Sequence, residues 1–142
     1  MFKPLSLAIL ITLPTLSHAE AFVQRERYTI PVNQINATSF EVIEADGAGG
    51  TQMWCAAGLY ARNVLGQRGG DLTIETGRGD ALTAPGRKGV VFTTAPLEGA
   101  FSSFSQGVRR SGKVFSMTHA FALCQTLPFL RVRTADNQLV RR

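Results

Sequence analysis

The residues best suited to covalent chemistry in this chain are a cysteine and a histidine that lie far apart in the sequence. Cys55 falls in the first turn of a predicted helix, where the positive end of the helix dipole stabilises a thiolate nucleophile. His119 could act as its general base. A cell-wall hydrolase or transpeptidase using Cys55 and His119 is therefore one hypothesis, although the residues around Cys55 lack the Cys-Gly-Ser/Ala-Cys signature of cysteine proteases.

The same cysteine also fits a disulfide. Cys55 and Cys124 are the two cysteines of the chain, and two thiols in an oxidising compartment pair by default. Their bond would close a loop of about 70 residues and tie the first turn of the predicted helix to a short C-terminal helix. A paired Cys55 has no free thiol, so the disulfide and the hydrolase are competing hypotheses.

The N-terminal residues predict export. Lys3 provides a positive start, residues 5–16 form an apolar stretch, and Ser17 and Ala19 are small residues at the positions that signal peptidase reads. A competing cleavage site follows Ala21. The apolar stretch is too short to span a bilayer, and no second long one follows. We expect a signal peptide over 1–19, a single domain over 20–142, a periplasmic location and no transmembrane segment in the mature form.

Charge is unevenly distributed along the predicted mature chain. Residues 20–60 carry two basic and five acidic residues, whereas residues 61–142 carry twelve basic and five acidic ones. Arginine dominates, and its planar fork donates two parallel hydrogen bonds to a phosphate or carboxylate. The candidate anion-binding residues are Arg87, Lys88, Arg109 and Arg110. The expected partner is an anionic envelope component or an envelope protein, and export argues against nucleic acid.

Metal and cofactor chemistry finds little support in the sequence. The mature chain keeps His119 as its one histidine, which excludes a zinc site built on several histidines. Glu41, Glu44 and Asp46 are close in sequence, but on a strand Glu41 points away from the other two, which favours a solvated strand edge over a metal site. No Cys-x-x-Cys or nucleotide-binding glycine motif occurs. We expect no metal ion and no cofactor.

The elements that must position these residues follow from periodicity and from turn signals. One helix is predicted over 51–65, apolar around most of its circumference and therefore buried, with a short helix at 118–125. Residues 77–86 and 95–112 are predicted to be irregular. Strands are predicted at 27–32, 38–45, 71–76, 89–94, 113–117 and 129–133. The pattern indicates an α+β domain, in which a small antiparallel sheet carries the main helix on one face.

Three segments carry a resemblance to a group of known sequences. They are Trp54-Cys55-Ala56-Ala57-Gly58-x-Tyr60-Ala61-Arg62, then Pro85-Gly86-Arg87-x-x-Val90-x-Phe92-Thr93, then Ala122-Leu123-Cys124. Together they resemble short exported proteins of unknown function from Rhodobacter-like alphaproteobacteria. The resemblance covers most of the mature chain and implies export and a Cys55–Cys124 pair, but it implies no activity.

Three functional hypotheses remain open at this point. The first is a non-enzymatic periplasmic domain that binds or supports an envelope component. The second is the Cys55/His119 hydrolase. The third is a small inhibitor of an enzyme that attacks the envelope, which would present a loop such as residues 77–89 to its target.

The export hypothesis predicts the mass of the mature protein. We expect the mature chain to begin at Glu20 or Phe22, because signal peptidase cleaves after small residues at the end of the apolar stretch. Intact-mass spectrometry of periplasmic material checks this directly. Retention of Met1 in that material would contradict it.

Overall fold

A computed structural model describes residues 27–142, so the predicted signal peptide, its cleavage sites and the start of the predicted domain lie outside the described residues. The described residues contain eight strands, two α-helices and one 3₁₀ turn. In chain order these are β1 (Tyr28–Gln34), β2 (Ser39–Ile43), α1 (Gly50–Asn63), β3 (Asp71–Asp80), β4 (Lys88–Thr93), β5 (Phe101–Ser102), β6 (Lys113–Ser116), α2 (Met117–Ala122), the 3₁₀ turn (Leu123–Thr126), β7 (Leu130–Thr134) and β8 (Leu139–Val140).

All eight strands belong to one sheet, in the order β5-β6-β3-β4-β2-β1-β7-β8. The predicted α+β class is confirmed, but the predicted small antiparallel sheet is wrong. The sheet is larger and mixed, because β7 pairs with β1 in parallel and β5 pairs with β6 in parallel. A parallel partner needs a crossover rather than a hairpin. Helix α2 and the 3₁₀ turn provide that crossover between β6 and β7.

Helix α1 forms the centre of the core. Every residue from Met53 to Ala61 is buried, which confirms the predicted buried helix with bounds of 50–63 instead of 51–65. Its neighbours include β1, β2, β7 and α2. Trp54 stacks on Phe115 of β6, with ring centroids 4.1 Å apart, and meets Phe92 of β4 edge-on at 5.0 Å. Neither helix described in residues 27–142 has the length and apolar character needed to cross a bilayer.

The disulfide links helix α1 to the 3₁₀ turn that packs beside it. Cys55 of α1 is bonded to Cys124 in the 3₁₀ turn, with Cα atoms 5.0 Å apart, and this confirms the predicted pair. Cys55 has no exposed surface. The bond lies in the second turn of α1 rather than the first, because the helix begins at Gly50.

Two sequence-based boundaries are wrong for the same physical reason. Strand β3 continues through Arg78 to Asp80, where a loop was predicted from Gly77, because its far end pairs with β4 as Gly79 opposite Gly89. No strand was predicted after residue 133, but Leu139–Val140 form β8 against β7. In both cases the backbone forms a strand because it pairs with a neighbouring strand. The side chains of these residues show little alternation, so the sequence does not indicate the strand.

The disulfide predicts a measurable loss of stability. Cys124→Ser should lower the free energy of unfolding by about 2–4 kcal/mol, because a cross-link spanning 69 residues restricts the unfolded chain. Urea unfolding measures this difference, and reduction of the wild-type protein should give a similar loss. A native protein that reacts with a thiol reagent before it unfolds would contradict the pairing.

Candidate functional site

A cleft of about 580 Å³ opens where the start of α1 meets the end of β3 and the segment 103–112. We call this segment the cationic segment. The volume lies within the range of small-molecule sites. The charged residues that line the cleft are Glu44, Arg78, Arg109, Arg110 and Lys113.

Two glycines hold the cationic segment in place by letting its backbone approach closely. A Cβ atom on Gly50 would lie 2.1 Å from the carbonyl oxygen of Gln106, and one on Gly77 would lie 2.2 Å from the carbonyl oxygen of Arg109. Next to Gly77, the Arg78 amide donates to the carbonyl oxygen of Val108 at 2.8 Å. Any larger side chain at position 50 or 77 would therefore displace the segment.

Lys113, the first residue of β6, also holds the cationic segment in place. It is 4% exposed, and its Nζ donates to the carbonyl oxygens of Ser105, at 3.0 Å, and Gly107, at 2.6 Å. Burial lowers the pKa of Lys113, and the positive charge of Arg110 lowers it further. An ammonium group has three donors. The two carbonyls use two of them and leave one for a group in the cleft.

The single acid of the cleft is already paired. Arg78 donates from Nε to Oε2 of Glu44, and from Nη2 to Oε1 at 3.0 Å, which is a two-point fork. The hydrogen bond from Arg78 holds the pKa of Glu44 below its usual value, and the nearby charges of Arg78 and Lys88 act in the same direction against the effect of burial. Three cations of the cleft lining therefore lack an acidic partner within it.

These three cations differ in how firmly they are held. The Arg110 guanidinium lies 4.6 Å from the ring centroid of Phe101, and that contact orients it. Lys113 is fixed by its two carbonyls. Arg109 is exposed, and within residues 27–142 its side chain makes no hydrogen bond, ion pair or ring contact. Arg109 is therefore the cation most available to a bound anion.

The start of α1 adds partial positive charge to the cleft. Gly49 is the N-cap residue, no side chain accepts a hydrogen bond from the first turn, and no acidic residue lies in that turn. The Gln52 Oε1 atom instead accepts from the backbone N–H of Gly49 at 3.0 Å. The N–H groups at the start of a helix attract anions, so the helix end and the cations favour the same kind of ligand.

The structure divides the four sequence-predicted anion-binding residues into two pairs. Arg109 and Arg110 line the cleft. Arg87 donates from Nη2 to the carbonyl oxygen of Glu44 at 2.8 Å, and Lys88 pairs with Asp80 at 2.6 Å, so both border the site without lining it. Their cationic groups are already engaged.

Sequence reasoning missed two of the four cations that line the cleft, Arg78 and Lys113. Arg78 belonged to residues 77–86, which were predicted to be irregular. Lys113 was placed on a strand without a functional role, although strand alternation puts it on the same face as the buried Phe115. A lysine in register with a buried aromatic was the signal that could have identified it.

The structure does not assemble the Cys55/His119 pair into a nucleophile and a base. Cys55 is buried in the disulfide. His119 is exposed on α2, where its ring meets Phe115 edge-on at 4.6 Å and its backbone N–H donates to the Ser116 hydroxyl. No thiol is available for His119 to deprotonate while the disulfide is intact.

Of the three acidic residues that the sequence placed at a solvated strand edge, Glu41 lies in β2 and is buried, whereas Glu44 and Asp46 follow the strand and Asp46 is exposed. Glu41 is 1% exposed, and its carboxylate accepts hydrogen bonds from the amides of Leu82 and Thr83 and from the Thr83 hydroxyl. Asp46 accepts from the Thr29 amide at 2.8 Å. No group of three or more histidine, cysteine or acidic side chains suited to a metal ion is found among residues 27–142.

Comparison of the chain with protein-family models, with curated proteins and with solved structures finds no match. The function therefore has to be inferred from the chemistry of the cleft itself.

The Glu44–Arg78 pair predicts a pH dependence of stability. Because the folded-state pKa of Glu44 is lowered, the pair stabilises the native state above the ordinary carboxyl pKa, and this stabilisation disappears as pH falls through the folded-state value. Glu44→Gln should cost up to about 1 kcal/mol at pH 7, since the pair is partly exposed. Urea unfolding from pH 7 to pH 2.5 should show the difference from wild type shrinking.

The exposed Glu98 provides a matched control for this measurement. Glu98→Gln should leave the stability at pH 7 nearly unchanged, because no ion pair of Glu98 occurs among residues 27–142. A stability difference between Glu44→Gln and wild type that stays constant over the whole pH range would argue against the pair.

Proposed function

We propose that this protein is an exported, non-enzymatic binding protein of the bacterial cell envelope, and that its cleft binds an anionic group of the phosphate or carboxylate type. One observation carries the proposal. Arg109, Arg110 and Lys113 converge with the uncapped start of α1 in a single cleft whose acid is already paired with Arg78.

The balance of charge explains why such a cleft favours an anion. The cationic segment brings Arg109 and Arg110 next to Lys113 of β6, and mutual repulsion in a partly enclosed space makes this arrangement unfavourable without an anion. Arg109 and Arg110 can each donate in pairs to phosphate or carboxylate oxygens. Lys113 can add its remaining N–H group, so the ligand that satisfies all three is an oxyanion.

The cellular part of the proposal is supported by different observations. Residues 1–19 have the composition of a signal peptide. The Cys55–Cys124 disulfide is compatible with an oxidising compartment. The resemblance to short exported proteins of Rhodobacter-like alphaproteobacteria is in keeping with both.

A second candidate function, inhibition of an envelope-attacking enzyme, is favoured by one specific feature. The loop between β3 and β4 is held by the buried Glu41 carboxylate, and its Thr83 hydroxyl also accepts from Asn33 at 2.9 Å. Leu82 is 69% exposed on that loop. A rigid loop with an exposed apolar residue would lose little entropy on binding a partner. This candidate is tested by measuring the inhibition of purified envelope hydrolases. Wild-type protein should inhibit one of them, and Leu82→Ala should inhibit it less.

The anion-binding proposal predicts the behaviour of one arginine. We expect inorganic phosphate to bind with a dissociation constant on the order of millimolar, and to shift the NMR signals of the Gly50 and Thr51 amides at the start of α1. Arg109→Ala should weaken this binding by about ten-fold, because a hydrogen-bonded charge partner is lost. Titrations at low salt, followed by addition of sodium chloride, measure both the affinity and its screening.

Arg68 provides the matched control, because it is exposed and follows the opposite end of α1. Arg68→Ala removes the same charge and should leave phosphate binding unchanged. Equal effects of the two variants, or amide shifts that avoid the start of α1, would reject the cleft as the site.

A further inference from the structure

We infer that the anionic group recognised by the cleft is the phosphate of an anionic phospholipid headgroup, and that the protein docks on the membrane surface by inserting Phe104 beside it. This inference rests on the proposed anion-binding function. It adds a second contact, an apolar one, which a soluble anion would not require.

Phe104 is the most exposed large apolar residue in the described part of the chain. Its relative exposure is 106%, so the ring has no packing partner within residues 27–142. It belongs to the cationic segment, and its neighbour Ser105 lines the cleft. A phenylalanine in this position leaves its whole apolar surface in water, which is unfavourable by roughly the transfer cost of an aromatic side chain. A second apolar surface would remove that cost.

The backbone on both sides of Phe104 is held in place. The Ser105 amide donates to the Ser103 hydroxyl, and the Gly107 amide donates to the Ser105 hydroxyl, each at 3.2 Å. The carbonyl of Ser105 accepts from Lys113. The ring therefore projects from an ordered turn, and little conformational entropy would be lost on insertion.

The charges on the same segment as Phe104 indicate the kind of surface that the ring would enter. Arg109 and Arg110 lie on the same segment, and both are exposed. An exposed apolar side chain on the same segment as exposed cations is a combination that binds the interface of an anionic bilayer. Each lysine or arginine near such a surface strengthens binding by about five-fold at moderate salt. One ring and a few cations predict weak, reversible docking.

A free anion fits these features less well than a lipid headgroup does. A free phosphate uses the cleft cations but leaves Phe104 in water. A lipid phosphate lies at the boundary between headgroups and acyl chains, so the cleft and the ring can be occupied together. The geometry of one segment that carries both contacts therefore favours a lipid.

The experiment is co-sedimentation with vesicles of phosphatidylglycerol and phosphatidylcholine, compared with vesicles of phosphatidylcholine alone. Wild-type protein should bind only the anionic vesicles. Raising the salt from 0.01 M to 0.15 M should weaken binding strongly, because the Debye length falls from about 30 Å to about 8 Å. Phe104→Ala should weaken binding about ten-fold, and Arg109→Gln with Arg110→Gln should weaken it about twenty-fold.

Leu82 supplies the matched apolar control. It is 69% exposed, and its amide donates to Glu41. On β2 the side chain of Glu41 points away from Phe40, which packs on Tyr60 of α1. Leu82 therefore lies on the opposite face of the sheet from the cleft, and Leu82→Ala should leave vesicle binding unchanged.

A fluorescent variant reports directly whether the side chain at position 104 enters the bilayer, in addition to how much protein binds. The chain has one tryptophan, Trp54, which is buried. Phe104→Trp therefore adds a reporter whose emission should shift to shorter wavelength with anionic vesicles and not with neutral ones. Because position 104 is exposed, these variants should keep the wild-type circular dichroism spectrum and unfolding transition.

The possible results separate this inference from the proposed function. Binding of inorganic phosphate at the start of α1 without vesicle binding would overturn the membrane inference and leave the anion site intact. Equal loss of vesicle binding in Phe104→Ala and Leu82→Ala would also overturn it. Loss of neither phosphate nor vesicle binding when Arg109 and Arg110 are replaced would overturn both.

Discussion

The need to cover helix α1 on all sides governs the rest of this structure. Every residue from Met53 to Ala61 is buried, and one face of a sheet can cover only one side of such a helix. The sheet covers one side through β1, β2 and β7, and α2 with the 3₁₀ turn covers the other. Because those last two elements must cross the helical layer to do so, the chain re-enters the sheet beside β1 and in the same direction. The mixed sheet and the Cys55–Cys124 bond both follow from this crossover.

The same burial decides where a site can form. With its middle covered, α1 reaches the solvent at its two ends, and its N-terminal end, at Gly49 and Gly50, lines the cleft and carries partial positive charge. The cationic segment lies against this end, held by the close approaches at Gly50 and Gly77. Positive groups are thus gathered at a positive helix end instead of being dispersed. Packing of the core places them together, and the fold tolerates their repulsion because Lys113 is fixed by carbonyl oxygens.

The sequence alone predicts those features that depend on local periodicity or on residue counts. The buried helix, the disulfide and the candidacy of Arg109 and Arg110 belong to this group. The parallel pairing of β1 with β7 does not, because it depends on how α1 is covered, and no local pattern records that. The extension of β3 was missed because Gly77 and Gly79 resemble loop residues. Gly77 is small because the backbone of Arg109, 32 positions later, lies against it, and such a contact leaves no trace in neighbouring residues.

Two buried charged side chains, Glu41 and Lys113, each hold a loop in place, the first by accepting hydrogen bonds and the second by donating them. The carboxylate of Glu41 accepts N–H and O–H groups from the loop between β3 and β4, and the ammonium of Lys113 donates to carbonyls of the cationic segment. The difference lies in what each loop displays. Arg87 and Lys88, at the end of the first loop, are bonded within the protein, whereas Arg109 on the second is free within the described residues. A buried charge is costly unless its partners are fixed. An external anion would complete the arrangement of a fixed segment that exposes an unpartnered arginine, and this difference between the two loops supports the proposal of an anion site in the cleft.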